Sequence, residues 1–422
     1  MRWRIYALMA DFAVVLLAVL LLTADCAAIS TIQDRIRLYT YPLEFNYTDW
    51  LLRAWFTKAE FGAFGAERFV PQAGRRETVL EYGRLMGDIG RSRWKLQEEI
   101  ANPNGRDEKA IAALRAHLQE DYRRRSWLAP IAEQIIQEQI SLILAEQGVT
   151  LGGEPIPPVM YRTTDVPMAL VVSPRNVIRQ IANISLRPGL TLDQQIQLED
   201  KVAHDLNVST LVVPIGGVGV YPTMVMQTGD LPWLIDTVAH EWTHNYLAWH
   251  PLGMHYDSTP EMRVINETTA NIVGKEVGRM VLKRFYPELL PPPPPPPSKK
   301  KKASPNTPPP FDFRAEMHKT RVHVDKLLAE GKIEEAEAYM EQRRKFFWEH
   351  GYHIRKLNQA YFAFYGAYAD VAGGAAGATE DPVGAAVRKL RAQSPSVGAF
   401  LKRIAQVSSF AELKAMVGEG KP

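Results

Sequence analysis

Two short segments, His240-Glu241-Trp242-Thr243-His244 and Asn266-Glu267-Thr268-Thr269-Ala270, constrain this chain more than anything else in it. Histidines four residues apart share a face when the segment is an α-helix, where their Cβ atoms lie about 6 Å apart. From that face both imidazoles can grip one Zn²⁺, with Glu241 beside them to handle protons. A second helix carrying Glu267 would supply a third ligand and leave the fourth position open for water, which distinguishes a catalytic zinc from a structural one. The bland alternative is two histidines on a core helix and a carboxylate that favours a helix N-terminus.

The flanking residues predict those two helices. Asp230 reads as an N-cap with Leu231 and Pro232 in the first turn. Apolar residues then recur with helical period at Ile235, Val238, Ala239, Trp242, Tyr246 and Trp249, and His250, Pro251 and Gly253 end the run. A second helix is expected from about Glu261 to Phe285. Asn271 lies one turn after Glu267, placed to hydrogen-bond a ligating histidine from behind.

With these motifs the chain resembles the gluzincin metallopeptidases, the thermolysin-like and aminopeptidase clan. The resemblance implies His240, His244 and Glu267 as zinc ligands and Glu241 as the general base. Asn271 stands where the thermolysin-like branch has Asp, and the 22 residues between His244 and Glu267 are slightly more than the clan uses. It also implies a small sheet before the zinc helix, whose edge strand pairs with substrate backbone. Gly216 to Tyr221 is the candidate strand, with Gly217, Gly219 and Tyr221 as substrate-binding positions; a plain hairpin turn is the competing reading. Further on, Ile354 to Asp370 resembles the asparagine-containing helix of predicted bacterial aminopeptidases. Asn358, Tyr368 and Asp370 fit that pattern, and Gln359 replaces its second asparagine. Tyr368 is the first candidate for stabilising the oxyanion and Tyr361 the second.

The N-terminus bears on location. Arg2 and Arg4 precede an apolar run from Ile5 to Ala24 broken only by Asp11, about long enough to span a bilayer. The basic flank predicts a single-pass anchor with the N-terminus inside and the catalytic part extracytoplasmic. A cleaved signal peptide, and hence secretion, is the rival reading. Cys26 is the one cysteine, so there is neither a disulfide framework nor a cysteine metal site. A net charge of +3 gives no pull towards nucleic acid.

The fold class expected is α+β and mainly helical. After the anchor (1–28) comes a helical region (29–150), with helices over Glu77–Ile100, Asp107–Trp127 and Ala129–Gln147. The catalytic core (151–290) follows, with β-rich runs at Val159–Thr163, Ala169–Val172, Thr210–Pro214 and Val218–Gln227, and a helix over Leu192–Leu206 capped by Thr191. Residues 291–310, rich in Pro and Lys, read as a solvated linker. A helical C-terminal region (311–422) completes the cleft and ends in two small helices over Asp381–Val417. The expected function is zinc-dependent hydrolysis of peptide or protein substrates. A metal-keeping scaffold without activity, and a zinc hydrolase of another amide, are the alternatives. An aminopeptidase also needs a carboxylate for the substrate amine, and Glu261 is the guess for that role.

Overall fold

The structure, a computed structural model, describes residues 31–64, 70–101, 107–290, 311–365 and 382–418. The apolar N-terminal run, the Pro/Lys-rich segment, Tyr368 and Asp370 lie outside the described residues. The architecture is α+β and mainly helical, with two small three-stranded sheets. Among the described residues no helix is long and apolar enough to cross a membrane. The chain divides into two units, Met1–Pro42 and Leu43–Pro422. The first contains α1 (Ile32–Thr40), started by a reciprocal cap in which Thr31 and Asp34 bond each other's backbone N–H.

The second unit opens with α2 (Tyr47–Phe64), α3 (Gln72–Ala101) and α4 (Glu108–Glu146). Asp107 caps α4 as expected, accepting from the N–H groups of Lys109 and Ala110. The expected break near Leu128 does not occur: α4 is one helix of 39 residues with Pro130 inside it. Proline removes one N–H bond. Burial wins, because Leu118 before the proline and Ile135, Ile136, Ile140 and Leu144 after it enter the same core.

The strands are β1 (Tyr161–Thr164), β2 (Met168–Pro174), β3 (Ala182–Leu186), then α5 (Leu192–Leu206), β4 (Val208–Pro214), β5 (Gly217–Val218) and β6 (Thr223–Met226). One sheet has the order β3-β2-β4 and is antiparallel; the other has the order β1-β6-β5. β3, in which buried Ala182, Ile184 and Leu186 alternate with Asn183 and Ser185, is an addition to the expected strands. The run read as one strand from Val218 to Gln227 is a hairpin, with Val218 opposite Met224. The outer edge of β1 is closed by helix side chains. Glu133 Oε1 accepts the Thr163 N–H at 2.7 Å, and Gln137 Oε1 accepts the Tyr161 N–H at 3.0 Å. Helix residues four apart thus match strand residues two apart, and satisfy donors that a neighbouring strand would otherwise take.

Next come α6 (Leu231–Leu247), the short α7 (Pro251–Met254) and α8 (Pro260–Phe285). Asp230 caps α6 through the Trp233 N–H at 3.0 Å. Trp242, almost fully buried, ties α6 to the chain before β1 by donating Nε1 to the Pro157 carbonyl at 2.7 Å. α6 and α8 approach closely because α8 carries glycine where they cross. A Cβ at Gly274 would lie 2.7 Å from the Asp236 carbonyl oxygen and 3.0 Å from His240 Cβ.

Helices α9 (Phe313–Ala329) and α10 (Ile333–Glu349) form a pair broken at Gly331, whose φ of +74° suits glycine. α11 (Gln359–Tyr365) lays Ala360 and Phe364 on Ala169, Val171, Leu211 and Val213 of the antiparallel sheet. A buried carboxylate fastens this region. Glu199 accepts from Arg355 and from the Val212 N–H. The C-terminal stretch forms three helices rather than two: α12 (Pro382–Ala392), α13 (Val397–Ile404) and α14 (Phe410–Met416). Ser396 and Ser409 each cap a new start, which a coarse reading of the apolar pattern passes over.

Gly274→Ala forces a methyl group against the α6 backbone and should destabilise the protein by about 1–3 kcal/mol, since overpacked sites cannot relax freely. Denaturant unfolding of the variant beside wild type measures this, and an unchanged midpoint would show that the two helices have slack at their crossing.

Candidate metal centre

α6 presents His240 and His244 on one face, and α8 brings Glu267 to them. The His240 and His244 Nε2 atoms lie 3.1 Å apart. Glu267 Oε2 lies 3.7 Å from the first and 3.6 Å from the second. A four-coordinate ion with bonds of about 2.0–2.2 Å places its ligand atoms about 3.3–3.5 Å apart, close to this triangle. Glu267 Oε2 is buried and makes no hydrogen bond. A carboxylate oxygen buried without a donor is costly, and a cation at the triangle would satisfy it. The group is therefore able to bind a metal ion. Among the described residues it is the only cluster of three such side chains.

Each ligand is held from behind. The side chain of Asn266 is fixed by its own amide, which donates to the Leu252 carbonyl at 3.4 Å. Its Oδ1 is 2.8 Å from His244 Nδ1, so Nδ1 keeps its proton, and once His244 is neutral the lone pair is on Nε2, facing the triangle. Asn271 hydrogen-bonds His240, the supporting contact expected from its spacing. Glu267 Oε1 accepts the Tyr256 hydroxyl at 2.5 Å, which leaves Oε2 to face the imidazoles. The Tyr256 ring meets His244 edge-on at 6.2 Å.

Charge is distributed to match. Burial, and then the neighbouring His244, push His240 down to about 4, so its imidazole is neutral. Burial opposes ionisation of Glu267, but the attraction of His244, with help from His240 and the Tyr256 hydroxyl, carries it down to about 2. Burial likewise disfavours a charged His244, yet the Glu267 carboxylate outweighs it and lifts His244 to about 9. A metal ion entering at neutral pH therefore displaces the His244 proton.

Glu241 is buried beside this triangle. Burial lifts its pKa to about 7, with His244 opposing and Glu267 adding. The β5–β6 hairpin lies against it. A Cβ at Gly217 would fall 2.5 Å from Glu241 Oε1, and one at Gly219 would fall 3.1 Å from His244 Cβ and 3.5 Å from Glu241 Oε2. β5 is the edge strand of its sheet, so its outer backbone groups have no neighbouring strand. Asn245 locks α6 to the hairpin by donating to Thr223 Oγ1 at 2.9 Å.

Five positions from the sequence analysis thus meet: His240, His244, Glu267, Asn271 and Glu241, with Gly217 and Gly219 touching Glu241 or His244. Tyr221 instead packs on Trp55 at 5.8 Å, and its hydroxyl donates to the Pro158 carbonyl. Asn358 caps α11 and donates to the Thr210 carbonyl. Tyr361 packs at a tilt against Tyr365 on the antiparallel sheet. Glu261 is exposed in the first turn of α8. His250 and His255 each bond a backbone carbonyl one turn back through Nδ1. Sequence reasoning missed Tyr256 and Asn266. Tyr256 sits in a stretch read as a spacer loop, and only its placement near Glu267 gives it meaning; Asn266 directly precedes the ligand and could have been noticed. No family model, curated protein or solved structure matches the chain.

With at least the His244 proton displaced per ion, apparent affinity for Zn²⁺ should rise about tenfold or more per pH unit from pH 6 to 8 and level off above about 9. Calorimetry in buffers of different ionisation heat should give about one proton or more released at pH 7, from His244 and in part from Glu241; a value near zero would contradict a protonated His244. Tyr256→Phe removes the hydrogen bond that orients Glu267 and should weaken the metal about 10–100-fold while keeping one site. A competition titration against a chelator reads the difference.

Proposed function

We propose that the protein is a zinc-dependent hydrolase of peptide bonds, of gluzincin type, held at the membrane by its N-terminal apolar run with the catalytic part extracytoplasmic. One observation carries the reading. Glu241 stands on the same helix as two ligand histidines, feels the charges of His244 and Glu267, and lies against the hairpin where Gly217 and Gly219 carry no side chain. A purely structural metal site has no use for that carboxylate or for glycine at those two positions.

When bound, zinc supplies Lewis acidity: it polarises a carbonyl group and brings the pKa of water towards neutrality. His240, His244 and Glu267 would hold the ion, with Asn266, Asn271 and Tyr256 setting their orientation. Glu241 accepts a proton from the attacking water and returns it to the leaving amine. Its burial favours the neutral form, so it can hold that proton between the two events. The backbone of Gly217, which alternates with residues bonded to β6 and so faces the open edge, can pair with an extended substrate segment, and the missing side chain there lets that segment come near Glu241. Tyr368 is the proposed oxyanion donor.

Glu241→Gln should retain a full equivalent of zinc and lower turnover of a fluorogenic peptide mixture by about 10²–10⁴-fold, the usual worth of a positioned general base. Metal analysis and rates on the same preparation check both halves. Full zinc with no cleavage by the wild type would point to the non-catalytic scaffold instead.

A further inference from the structure

Helix α6 is buried around most of its circumference and open along one line. Between Trp233 and His244 the half-buried residues are Trp233, Asp236, Thr237, His240 and His244; every other residue in that span is buried. Counted from the first, the five fall at i, i+3, i+4, i+7 and i+11, which is one face of an α-helix. The two metal-binding histidines thus stand at one end of a stripe that reaches solvent, and Asp236 stands one turn before the first of them. Glycines border the stripe on both sides. On the hairpin side, a Cβ at Gly216 would fall 2.8 Å from the Trp233 ring and one at Gly219 would fall 3.1 Å from His244 Cβ, so the edge strand follows the stripe from end to end. On the α8 side, a Cβ at Gly274 would fall 3.0 Å from His240 Cβ, and one at Gly278 would collide with Asp236 Oδ1. Asp236 is the acidic member of the stripe. Among the described residues its carboxyl makes no hydrogen bond and no ion pair. Burial, opposed by Lys275 and helped by Asp230, lifts its pKa to about 7. A carboxyl that is partly desolvated, unpaired and beside a candidate catalytic metal lacks a cation.

We propose that Asp236 selects substrates by holding a positively charged group of the bound peptide, its N-terminal ammonium or a Lys or Arg side chain. Both sources offer the same chemistry, a charged N–H donor to a carboxylate. One turn of helix is about 6 Å, the length of about two extended peptide residues. The charged group therefore belongs within a few residues of the bond that faces the metal triangle. The peptide as ligand rests on the function proposed above; the open stripe and the unpaired carboxyl on it do not.

The test uses the full-length, zinc-loaded protein with Glu241→Gln, so that bound peptide stays uncut. Three pools of random hexapeptides carry fluorescein at the C-terminus and are read by polarisation. The first is N-acetylated and built without Lys, Arg or His. The second has a free N-terminus and is otherwise the same; the third is N-acetylated and holds one Lys. The parent should bind at least one of the charged pools about tenfold more tightly than the first, the worth of one charge-assisted hydrogen bond. The pool that gains identifies the source of the cation. Asp236→Asn should bring that ratio to about one with zinc content unchanged, and Asp236→Ser answers the same question where the asparagine variant fails to fold. A parent with no preference for charge overturns the proposal. So does a variant that keeps the preference, or one that loses all three pools alike. If the parent binds peptide but the protein with Glu241 intact cleaves none, the hydrolase reading fails and Asp236 is still judged by binding. If the parent binds no peptide, both fail.

Discussion

The crossing of α6 and α8 is the contact on which the site depends. Two histidines one turn apart are ordinary on a helix; a carboxylate from a separate helix reaching both of them is not. It requires the helix axes to come closer than most side chains allow. Gly274 grants this at the crossing, where any Cβ would meet the Asp236 carbonyl and His240. Gly278, one turn further on, sits against Asp236 in the same way. The rest of the core braces the pair: α4 packs behind them, α12 to α14 close over α8, and Trp242 ties α6 to the chain leading into the sheet.

Burying three ionisable groups within a few ångströms is expensive unless their charges are organised. Here Glu267 is the fixed negative charge, His240 the neutral member, and His244 the one that carries the exchangeable proton. The hydrogen bonds behind them divide the labour. Asn266 fixes which His244 nitrogen has the lone pair, and Tyr256 fixes which Glu267 oxygen remains without a partner. Glu241 stands outside this arrangement, shielded by the hairpin and lifted towards neutrality by burial. Its proton affinity is thus set by solvent exclusion more than by any single partner.

Much of the site was legible in the chain because helical spacing is a local property. His240 to His244 is one turn, Glu267 to Asn271 is one turn, and Asp230 and Thr191 mark helix starts by their own side-chain chemistry. What escaped detection was mostly non-local. The continuity of α4 through Pro130 follows from a core that both halves share. Ala182 to Leu186 alternates apolar and polar residues as a half-buried strand does, a short local signal that a coarse reading passes over, and β2 pairs with it. Tyr256 acquires its role only from what the fold brings to it, Glu267.

By itself, the sequence determined the local geometry around the site: that the two motif segments are helical, that Asp230 starts the first of them, and which face bears His240 and His244. That much follows from backbone periodicity and capping, which depend on residues a few positions apart. Only the tertiary structure decided that Glu267 Oε2, rather than its twin, turns to the imidazoles, and that a glycine hairpin shelters Glu241. Those outcomes depend on how close two backbones can pack and on which buried polar atoms find partners, and neither is encoded in the spacing of any one segment.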